Sequence, residues 1–556
     1  MMSLTAAERE VGKSNFYASI GDKLTRSEFL EGSLAAGVVS GAGLGSFYFG
    51  YGKLTGDPVR VGVIGMGDEG SVLIGAHTPS YLNVVAISDI RPYNIHRAFH
   101  GDPKALGPRP GLMSKYGWKT EDEARKQVKV YDQDYHDLLD DPAIEAVIIA
   151  LPLHLHDVVA IEAMHKGKHV LTEKLIGHSV GRAKSMGRVA NQLKKHLATG
   201  HQRHYSVLYD NAVDMIKRGL LGDLHSIRAQ WHRTKDSWYA KLPDDSMKNE
   251  IAEFQKKLDA AIEKKDNARI EAVRLEMRDL EERLKDREVD AAKYGYQEKT
   301  LTEGPRHYTC SPLEELIRWR LWQRTGGGLM AELGSHQLDA AGIFCSAVRT
   351  DGKKARPLMV SAVGGRLLYP LDRECDDHVY CMYEYPGPGY DQDPNKKIVV
   401  TYSSINGNGF GGYGEVVMGT EGTLVLENEK EVMLYPGSGS TSTHVKVAKS
   451  KAGGAVLNTS ESGAAPAAAV GKKALEAGPV SRGYTEEMEH FAWCIRNFDF
   501  EHNKPKCHPE VALADAVIAL TTNIAMQRRE RIEFKDEWFD IASDETPEGE
   551  KPEMSV

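Results

Sequence analysis

The feature of this sequence that most restricts its fold is the ten-residue stretch VGVIGMGDEG, residues 61–70. An unbroken apolar run, VRVGVIG, leads into it and predicts a buried strand, and a helix-like segment follows. Gly65, Gly67 and Gly70 form a G-x-G-x-x-G pattern, which supplies the tight turn, the close approach and the helix packing of a dinucleotide-binding loop. The loop, including Met66, therefore predicts a pyrophosphate site at a helix N-terminus, with a ligand-free glycine turn as the alternative.

An acidic residue ends the second predicted strand. This strand is LNVVAISD, residues 82–89, and its last residue is Asp89. A carboxylate at this point accepts hydrogen bonds from the ribose hydroxyls of an adenosine, which favours NAD as the cofactor. Arg91 follows two residues later and could instead meet a 2′-phosphate, so NADP is the second possibility.

Strands and helices alternate along this part of the chain. Buried strands are predicted at 143–152 and 168–174, and a helix with apolar residues at helical spacing is predicted between them at 157–167. The alternation predicts an α/β fold in which an N-terminal Rossmann domain, with a parallel and doubly wound sheet, covers residues 57–176.

The following residues, 177–535, predict a second domain of the α+β class. Apolar segments separated by hairpin-like gaps between 358 and 435 indicate a largely antiparallel sheet. An insertion at 246–290 repeats apolar residues at three- and four-residue spacing and predicts a helical hairpin, which is a lid, a subunit contact or a solvated arm. The stretch 450–473 has low complexity and predicts a mobile loop.

Net charge and cysteine content argue against two classes of function. The formal net charge is −9, and no basic stripe offsets it, so a nucleic-acid partner is not expected. The six cysteines are scattered without a C-x-x-C pair, so neither a zinc site nor a disulfide framework is expected.

Both ends of the chain differ in composition from its middle. Residues 1–56 contain a mildly apolar, glycine-rich run after TRSEFL, in which Arg26 and Ser27 occupy the positions of a twin-arginine pair. We interpret this segment as a degenerate export leader or an uncleaved anchor, with a surface-docked arm as the alternative. The location is then the periplasm or cell envelope, with membrane contact through this segment alone, or otherwise the cytoplasm. The tail 536–556 is acidic and predicts disorder from Asp544 onward.

A lysine stands at the end of a later buried strand, in VLTEKLIGHS. Lys174 follows Glu173 there, at the carboxyl end of the strand, and such strand ends line the ligand crevice of a doubly wound sheet. A desolvated amine in that crevice can accept a proton from a bound substrate. A solvated charge in a loop is the alternative interpretation.

Polar residues line one face of a second predicted helix. Glu332, His336 and Asp339 are spaced i, i+4 and i+7, which places their side chains on one side of the helix. A metal site would need a further ligand that the E-x-x-x-H spacing does not supply, so no metal is predicted. A histidine satisfied within the core is the other alternative.

Taken in order, these motifs resemble the Gfo/Idh/MocA oxidoreductase family over most of residues 59–530. GVIGMGDEG resembles its dinucleotide loop, ALPLHLHDVVAIEAMHKGKHVLTEK its central motif, and GGGLMAELGSHQLD its histidine-bearing helix. The resemblance implies that Lys174 is the catalytic lysine, that His336 is the catalytic histidine and that Glu332 assists them by orienting His336 or holding a neighbouring hydroxyl. It also implies contacts to the nicotinamide end of the cofactor from Pro152, His156 and Glu173, and contacts to the substrate from Gln202, Arg203 and Asp339.

Three residues depart from the family pattern. Leu175 replaces the usual proline after Lys174, Glu332 replaces an aspartate, and Leu151 replaces a small polar residue. The extra methylene of Glu332 moves its carboxylate by roughly 1 Å, which is enough to alter a substrate contact. The substrate therefore need not be one of the family's well-known polyols.

The resemblance implies an NAD(P)-dependent oxidoreductase that transfers hydride between nicotinamide and a secondary alcohol of a sugar, a sugar derivative or a cyclitol. One alternative is a redox-neutral, glycoside-cleaving enzyme with tightly bound NAD, in which His201, His204 or His307 supplies an added base. Another is a non-catalytic, cofactor-holding binding protein. A homo-oligomer is also expected.

Overall fold

The computed structural model describes most of the 556-residue chain. The described residues are 4–26, 45, 48–105, 107–234, 238–437, 439–449, 453–459, 465–476 and 482–553.

The first domain is built on a parallel sheet of six strands in the order β3-β2-β1-β4-β5-β6. The strands are β1 Val59–Ile64, β2 Leu82–Ser88, β3 Lys129–Tyr131, β4 Ala146–Ile149, β5 His169–Thr172 and β6 Leu197–Thr199. The middle strands read as continuous apolar runs because they are buried on both faces. The predicted Rossmann architecture is confirmed.

The helices of this domain alternate with its strands, as the sequence pattern predicts. They are Asp68–Ala76, Pro92–His100, Gly111–Tyr116, Glu121–Arg125, Tyr135–Asp140, His156–His165 and Val180–Leu193. The sixth strand, β6, pairs with β5 and therefore lies beyond the expected domain boundary at residue 176. The helix Val180–Leu193 makes the crossover that brings β6 back into the sheet.

The second domain contains an eight-stranded sheet in the order β15-β14-β13-β7-β12-β11-β10-β18. All neighbouring strands are antiparallel except β7 and β12, so the sheet is largely antiparallel, as predicted. Its strands are β7 Leu224–Arg233, β10 Met359–Gly365, β11 His378–Pro386, β12 Lys397–Asn406, β13 Tyr413–Gly419, β14 Gly422–Glu427, β15 Glu431–Pro436 and β18 Ile532–Glu533. Two short hairpins pair β8 Lys299–Glu303 with β9 Arg306–Cys310, and β16 Lys446–Lys449 with β17 Ala455–Asn458.

Helices of the second domain pack beside this sheet. They are Val207–Lys217, Pro312–Ile317, Gln323–Gly326, Ser335–Ala347, Ala465–Glu476, Tyr484–Arg496 and Pro509–Arg528. A π-helical turn, Met330–Gly334, leads directly into Ser335–Ala347. Among the described residues one helix, Pro509–Arg528, has the length and apolar composition to cross a membrane, and 72% of its apolar window is buried within the protein.

The insertion forms the predicted antiparallel hairpin. Its helices are Asp245–Glu263 and Asn267–Lys285, and a 3-10 turn, Asp286–Glu288, ends it. Leu258 and Val273 belong to the apolar seam between the two helices. The second helix also packs on Pro92–His100 of the Rossmann domain, so the hairpin is fixed to the first domain. We refer to residues 245–288 below as the hairpin.

The N-terminal segment begins with a helix, Ala6–Arg26, that packs on β15 and on the helix Ala465–Glu476. The Asn15 side chain is buried there and donates hydrogen bonds to the backbone oxygens of Leu434 and Thr443, at 3.0 and 2.9 Å. Ser27 and most of the apolar run of the leader prediction lie outside the described residues. Within the described part, the helix Ala6–Arg26 docks on the second domain, and Tyr51 and Gly52 contact Tyr81 of the Rossmann domain.

Truncation of Phe16, which is 1% exposed, tests this docking. We expect Phe16→Ala to lower the free energy of unfolding by roughly 3–5 kcal/mol, because the substitution leaves a cavity between helix and sheet. Glu10→Ala is the control on the same helix: its side chain is 76% exposed, and the expected change is within about 0.5 kcal/mol. Urea midpoints of the two variants measure the difference. Equal midpoints would mean that the helix does not pack on the folded body.

Two expectations of irregular structure differ from what the structure contains. The acidic tail is ordered to residue 553 against the helix Val180–Leu193, where Arg182 pairs with Glu550 at 2.9 Å and Arg188 pairs with Asp544 at 2.8 Å. Basic side chains on that helix thus neutralise the charge that suggested disorder. The low-complexity tract contributes β17 and much of the helix Ala465–Glu476, and the rest of it lies largely outside the described residues.

Candidate functional site

The glycine loop after β1 has the shape that a dinucleotide requires. Gly65 has φ +92°, and a Cβ there would lie 2.4 Å from the Ala150 carbonyl oxygen. A Cβ on Gly70 would lie 2.1 Å from the Gly65 carbonyl oxygen, so the helix can approach the strand only without a side chain. A Cβ on Gly67 would meet nothing within 4 Å, so the helix N-terminus is open in front of that backbone. These residues fit a bound pyrophosphate.

Asp89, at the end of β2, is joined to the glycine loop. Its Oδ2 accepts hydrogen bonds from the Met66 amide at 2.7 Å and from Asn94 Nδ2 at 3.0 Å, and its Oδ1 accepts from the Arg91 amide at 2.8 Å. Burial raises the pKa of Asp89, and the amides of Arg91 and Met66 oppose that rise. The carboxylate is therefore held rigidly at the edge of the sheet where the ribose of a dinucleotide is recognised. Met66 contributes through its backbone, which a side-chain motif cannot reveal.

Lys174 lies just beyond β5, on the same edge of the sheet as the glycine loop. Its Nζ donates to the backbone oxygen of Glu332 at 2.8 Å and lies 3.2 Å from Glu332 Oε2. Its side chain is 11% exposed, and the peptide bond between Lys174 and Leu175 is cis. The lysine is therefore not the solvated loop charge of the alternative interpretation.

Glu332 holds two cations together in the site. Arg320 Nε donates to Glu332 Oε1 at 2.7 Å, and Lys174 occupies the other carboxylate oxygen. Although burial opposes ionisation, Arg320 and Lys174 together hold the pKa of Glu332 well below its usual range. Among the described residues no hydrogen bond joins Glu332 to His336. The contacts of Glu332 thus orient Lys174, whereas the expectation was that Glu332 orients His336 or holds a neighbouring hydroxyl.

His336 faces a pocket of rings beside this ion pair. Its side chain is buried, its ring centroid is 5.6 Å from that of Trp231 and 6.2 Å from that of His201, and its Nδ1 has no hydrogen-bond partner among the described residues. Burial and the positive charges of Lys174 and Arg203 hold the pKa of His336 well below its usual value. The imidazole is therefore neutral and can accept a hydrogen bond.

The residues expected at the nicotinamide end have different surroundings. His156 bridges two loops, since its Nδ1 and Nε2 each lie 2.8 Å from a carbonyl oxygen, of Leu175 and Leu151 respectively. Its ring is therefore occupied in holding the strand ends together. Pro152 directly precedes the 3-10 turn Leu153–Leu155, which follows β4. Glu173 is buried, and burial together with the neighbouring Glu69 carboxylate raises its pKa to about 8.

This raised pKa predicts a pH dependence of stability. Between the ordinary glutamate pKa of 4.5 and about 8, the folded protein keeps the Glu173 proton and the unfolded chain releases it, so Glu173 makes stability fall as pH rises. We expect the thermal midpoint of Glu173→Gln minus that of the wild type to increase over this range and then to level off. A difference that stays constant from pH 5 to about 8.5 would contradict the assignment.

The three residues expected to contact substrate have partners within the chain. Arg203 Nη2 lies 2.7 Å from Glu429, in a pair that is 1% exposed on each side. Asp339 accepts from His204 Nε2 at 2.9 Å and from Lys354 Nζ at 2.6 Å. Arg203 and Asp339 therefore build the walls of the site through buried ion pairs. The Oε1 of buried Gln202 lacks a hydrogen-bond partner among the described residues.

Several residues near the site were not found from the sequence. Lys354 Nζ lies 2.6 Å from carboxylate oxygens of both Asp339 and Asp515. His201, Asp339 and Asp515 are close enough together to be metal ligands, but the Lys354 ammonium group already balances the charge of the two carboxylates. Arg320 and Glu69 were not predicted from the sequence either. Only the acidic character of the GMGDEG loop could have pointed to Glu69, because the other partners come from distant parts of the chain.

Comparison with known families identifies the first domain. A family model described as an oxidoreductase family with an NAD-binding Rossmann fold matches residues 59–201. The match includes the glycine loop, Asp89, Lys174 and β6.

Sequence relatives share only parts of the chain. An uncharacterized oxidoreductase of Schizosaccharomyces pombe is 35% identical over 108 residues, which are 19% of this chain and 29% of the relative. A glycosyl hydrolase family 109 protein of Shewanella baltica is 26% identical over 194 residues, which are 34% of this chain and 38% of the relative. The chain thus spans less than half the length of each of these two curated relatives.

Solved structures share the fold of both domains. A WlbA dehydrogenase of Bordetella pertussis, in complex with NADH and UDP-GlcNAcA, superimposes with a TM-score of 0.51 at 14% identity, over 87% of this chain and 99% of that one. A levoglucosan dehydrogenase in complex with NADH and levoglucosan gives a TM-score of 0.51 at 17% identity, over 86% and 99%. At these identities the likeness concerns the fold.

Proposed function

Since the chain belongs through residues 59–201 to the Gfo/Idh/MocA oxidoreductase family, we propose that it is an NAD-dependent oxidoreductase acting on a secondary alcohol of a sugar, a sugar derivative or a cyclitol. NADP remains the second candidate cofactor. The observation that carries this proposal is the position of Lys174 beyond β5, bound to Glu332, on the sheet edge that also carries the glycine loop. The glycine loop follows β1 and Lys174 follows β5. In the sheet these two strands are separated only by β4, close to the point where the strand order reverses.

Each group at the site has a part in the proposed reaction. When bound, NAD accepts a hydride at nicotinamide C4, and its pyrophosphate and ribose would be held by the glycine loop and Asp89. After releasing its own proton to solvent, Lys174 in its neutral amine form takes the hydroxyl proton of the substrate as the carbonyl forms. Glu332 stabilises the resulting ammonium ion, because its carboxylate is ionised and already in contact with Lys174 Nζ. The neutral His336 accepts a hydrogen bond from the same hydroxyl and shares the proton relay.

Cofactor turnover tests the proposal. Purified protein is incubated with NAD or NADP and a panel of aldoses, uronic acids, amino sugars and cyclitols, and absorbance at the reduced-nicotinamide band is followed. Formation of one NADH per oxidised alcohol supports it. Saturable NAD binding with no turnover on any panel member would instead favour the non-catalytic cofactor-holding protein.

A redox-neutral, glycoside-cleaving enzyme is the second candidate, and the partial similarity to glycosyl hydrolase family 109 proteins favours it. Such an enzyme would use bound NAD to store a hydride transiently, so that oxidation of a sugar carbon, elimination of the leaving group, addition of water and re-reduction would leave the cofactor unchanged. Release of nitrophenol from nitrophenyl glycosides without net NADH would separate this activity from that of a dehydrogenase. Of the three histidines considered as an added base, His201 is fully buried and His204 is bonded to Asp339.

We also propose that the chain forms a homo-oligomer. The second domain exposes apolar side chains on β10, in the loop after β10 and in the loop after β12: Val363, Leu367 and Phe410 are 66%, 73% and 82% exposed. Light scattering coupled to size exclusion gives the oligomeric state.

A cell-envelope location is likewise a proposal, and fractionation of the native host with an antibody to the protein tests it.

A further inference from the structure

We propose that Asp286, which the hairpin supplies, makes the cofactor site selective for NAD over NADP by neutralising Arg91. This inference rests on the proposed function. It assigns a role to the hairpin, an inserted segment that is not needed to form the glycine loop or the strand ends of the cofactor site.

The contact between Asp286 and Arg91 is a buried ion pair. Arg91 donates to Asp286 Oδ2 from Nε at 2.9 Å, and its Nη2 lies 2.8 Å from the same oxygen. The other oxygen of Asp286 accepts from the Tyr93 amide at 3.1 Å. The Asp286 side chain is 1% exposed and that of Arg91 is 16% exposed, so solvent screens the pair little.

Arg91 is placed where it would otherwise meet a 2′-phosphate. Its amide donates to Asp89 Oδ1 at 2.8 Å, and a guanidinium close to this strand end is the usual means of accommodating the phosphate of NADP. With Asp286 bound, the Arg91–Asp286 ion pair as a whole carries no net charge, so the guanidinium has no uncompensated charge for a phosphate. A 2′-phosphate would then face the carboxylates of Asp89 and Asp286 at low dielectric, whereas uncharged ribose hydroxyls would meet no such repulsion.

The hairpin holds Asp286 firmly in this position. The Tyr93 hydroxyl donates to Asp279 Oδ1 at 3.1 Å, and Arg283 Nη2 donates to the Tyr93 hydroxyl at 2.6 Å. The Arg283 guanidinium also lies over the Tyr93 ring, 4.1 Å from its centroid. These contacts dock the second hairpin helix on Pro92–His100, so Asp286 is a fixed counter-ion.

The test is Asp286→Asn, with dissociation constants for NAD and NADP measured by calorimetry on the full-length protein. Freeing Arg91 to pair with the phosphate adds a charge-assisted hydrogen bond, so we expect the NADP-to-NAD ratio of dissociation constants to fall by about tenfold or more. Asp279→Asn is the matched control, since Asp279 docks the same hairpin without a hydrogen bond or ion pair to Arg91. It should leave the ratio within about threefold of the wild type.

A second variant keeps the inference testable if Asp286→Asn folds poorly. In Arg91→Ala combined with Asp286→Asn no buried charge is left unpaired, and the ratio should return to within about threefold of the wild-type value. An unchanged ratio in Asp286→Asn, or an equal shift in Asp279→Asn, overturns the inference while the proposed function stands. A wild-type protein that binds neither dinucleotide removes the proposed function and the inference together.

Discussion

Lys174→Ala should lower kcat by about 10²–10⁴-fold and leave the dissociation constant for NAD within about threefold of the wild type. Lys174 is the amine that would take the hydroxyl proton, and neither the glycine loop nor Asp89 hydrogen-bonds to it. Stopped-flow or steady-state NADH formation gives kcat, and titration gives the affinity. A variant that keeps more than about a tenth of wild-type kcat would remove Lys174 from the mechanism.

Lys174→Arg is the matched variant. Arginine keeps the positive charge beside Glu332, but it does not release its proton in proteins, so it cannot act as a base. The same loss of kcat in Lys174→Arg as in Lys174→Ala therefore means that proton transfer is the function of the lysine. Retained activity in the arginine variant would mean that Lys174 serves only as a counter-ion to Glu332.

Gly67→Ala should weaken NAD binding by roughly tenfold to a hundredfold, which corresponds to one lost charge-assisted hydrogen bond of about 1.5–3 kcal/mol. The new Cβ would contact nothing in the protein within 4 Å, so the thermal midpoint without cofactor should not change. Loss of affinity at constant stability therefore locates the pyrophosphate in front of this backbone.

Gly70→Ala is the contrasting variant on the same loop. Its Cβ would lie 2.1 Å from the Gly65 carbonyl oxygen, so we expect it to lower both the thermal midpoint and NAD affinity. If Gly67→Ala instead binds NAD as tightly as the wild type, the loop does not approach the cofactor backbone and the site assignment fails.

Much of the fold could be predicted from local patterns. The glycine loop, the acidic end of β2 and the alternation of strands and helices predicted the Rossmann domain, because period and turn chemistry are decided within a few residues. The hairpin and its turn near residues 264–267 followed from apolar spacing for the same reason. The extent of the parallel sheet was underestimated, because β6 is only three residues long and has no pattern of its own.

The candidate site was predicted less completely than the fold. Lys174, Glu332 and His336 could be named from their motifs, but their contacts could not. The resemblance implied that Glu332 orients His336 or holds a neighbouring hydroxyl, and it did not predict that the carboxylate binds Lys174 and Arg320. In a buried site a carboxylate binds the cations that packing brings within reach, since leaving either charge unpaired is costly.

The sequence by itself thus determined the resemblance to an oxidoreductase family, the Rossmann architecture and the identity of the candidate lysine and histidine. Only the tertiary structure decided that Arg91 pairs with Asp286, which lies 195 residues later, that Asp339 pairs with Lys354, and that the acidic tail docks on the helix Val180–Leu193. The physical reason is the difference in sequence separation between the residues that interact. The periodicity of strands and helices and the turns at glycines depend on steric contacts between residues that are close in sequence, so a short segment is enough to predict them. Ion-pair partners depend on which distant surfaces the folded chain buries together, and no local pattern records that.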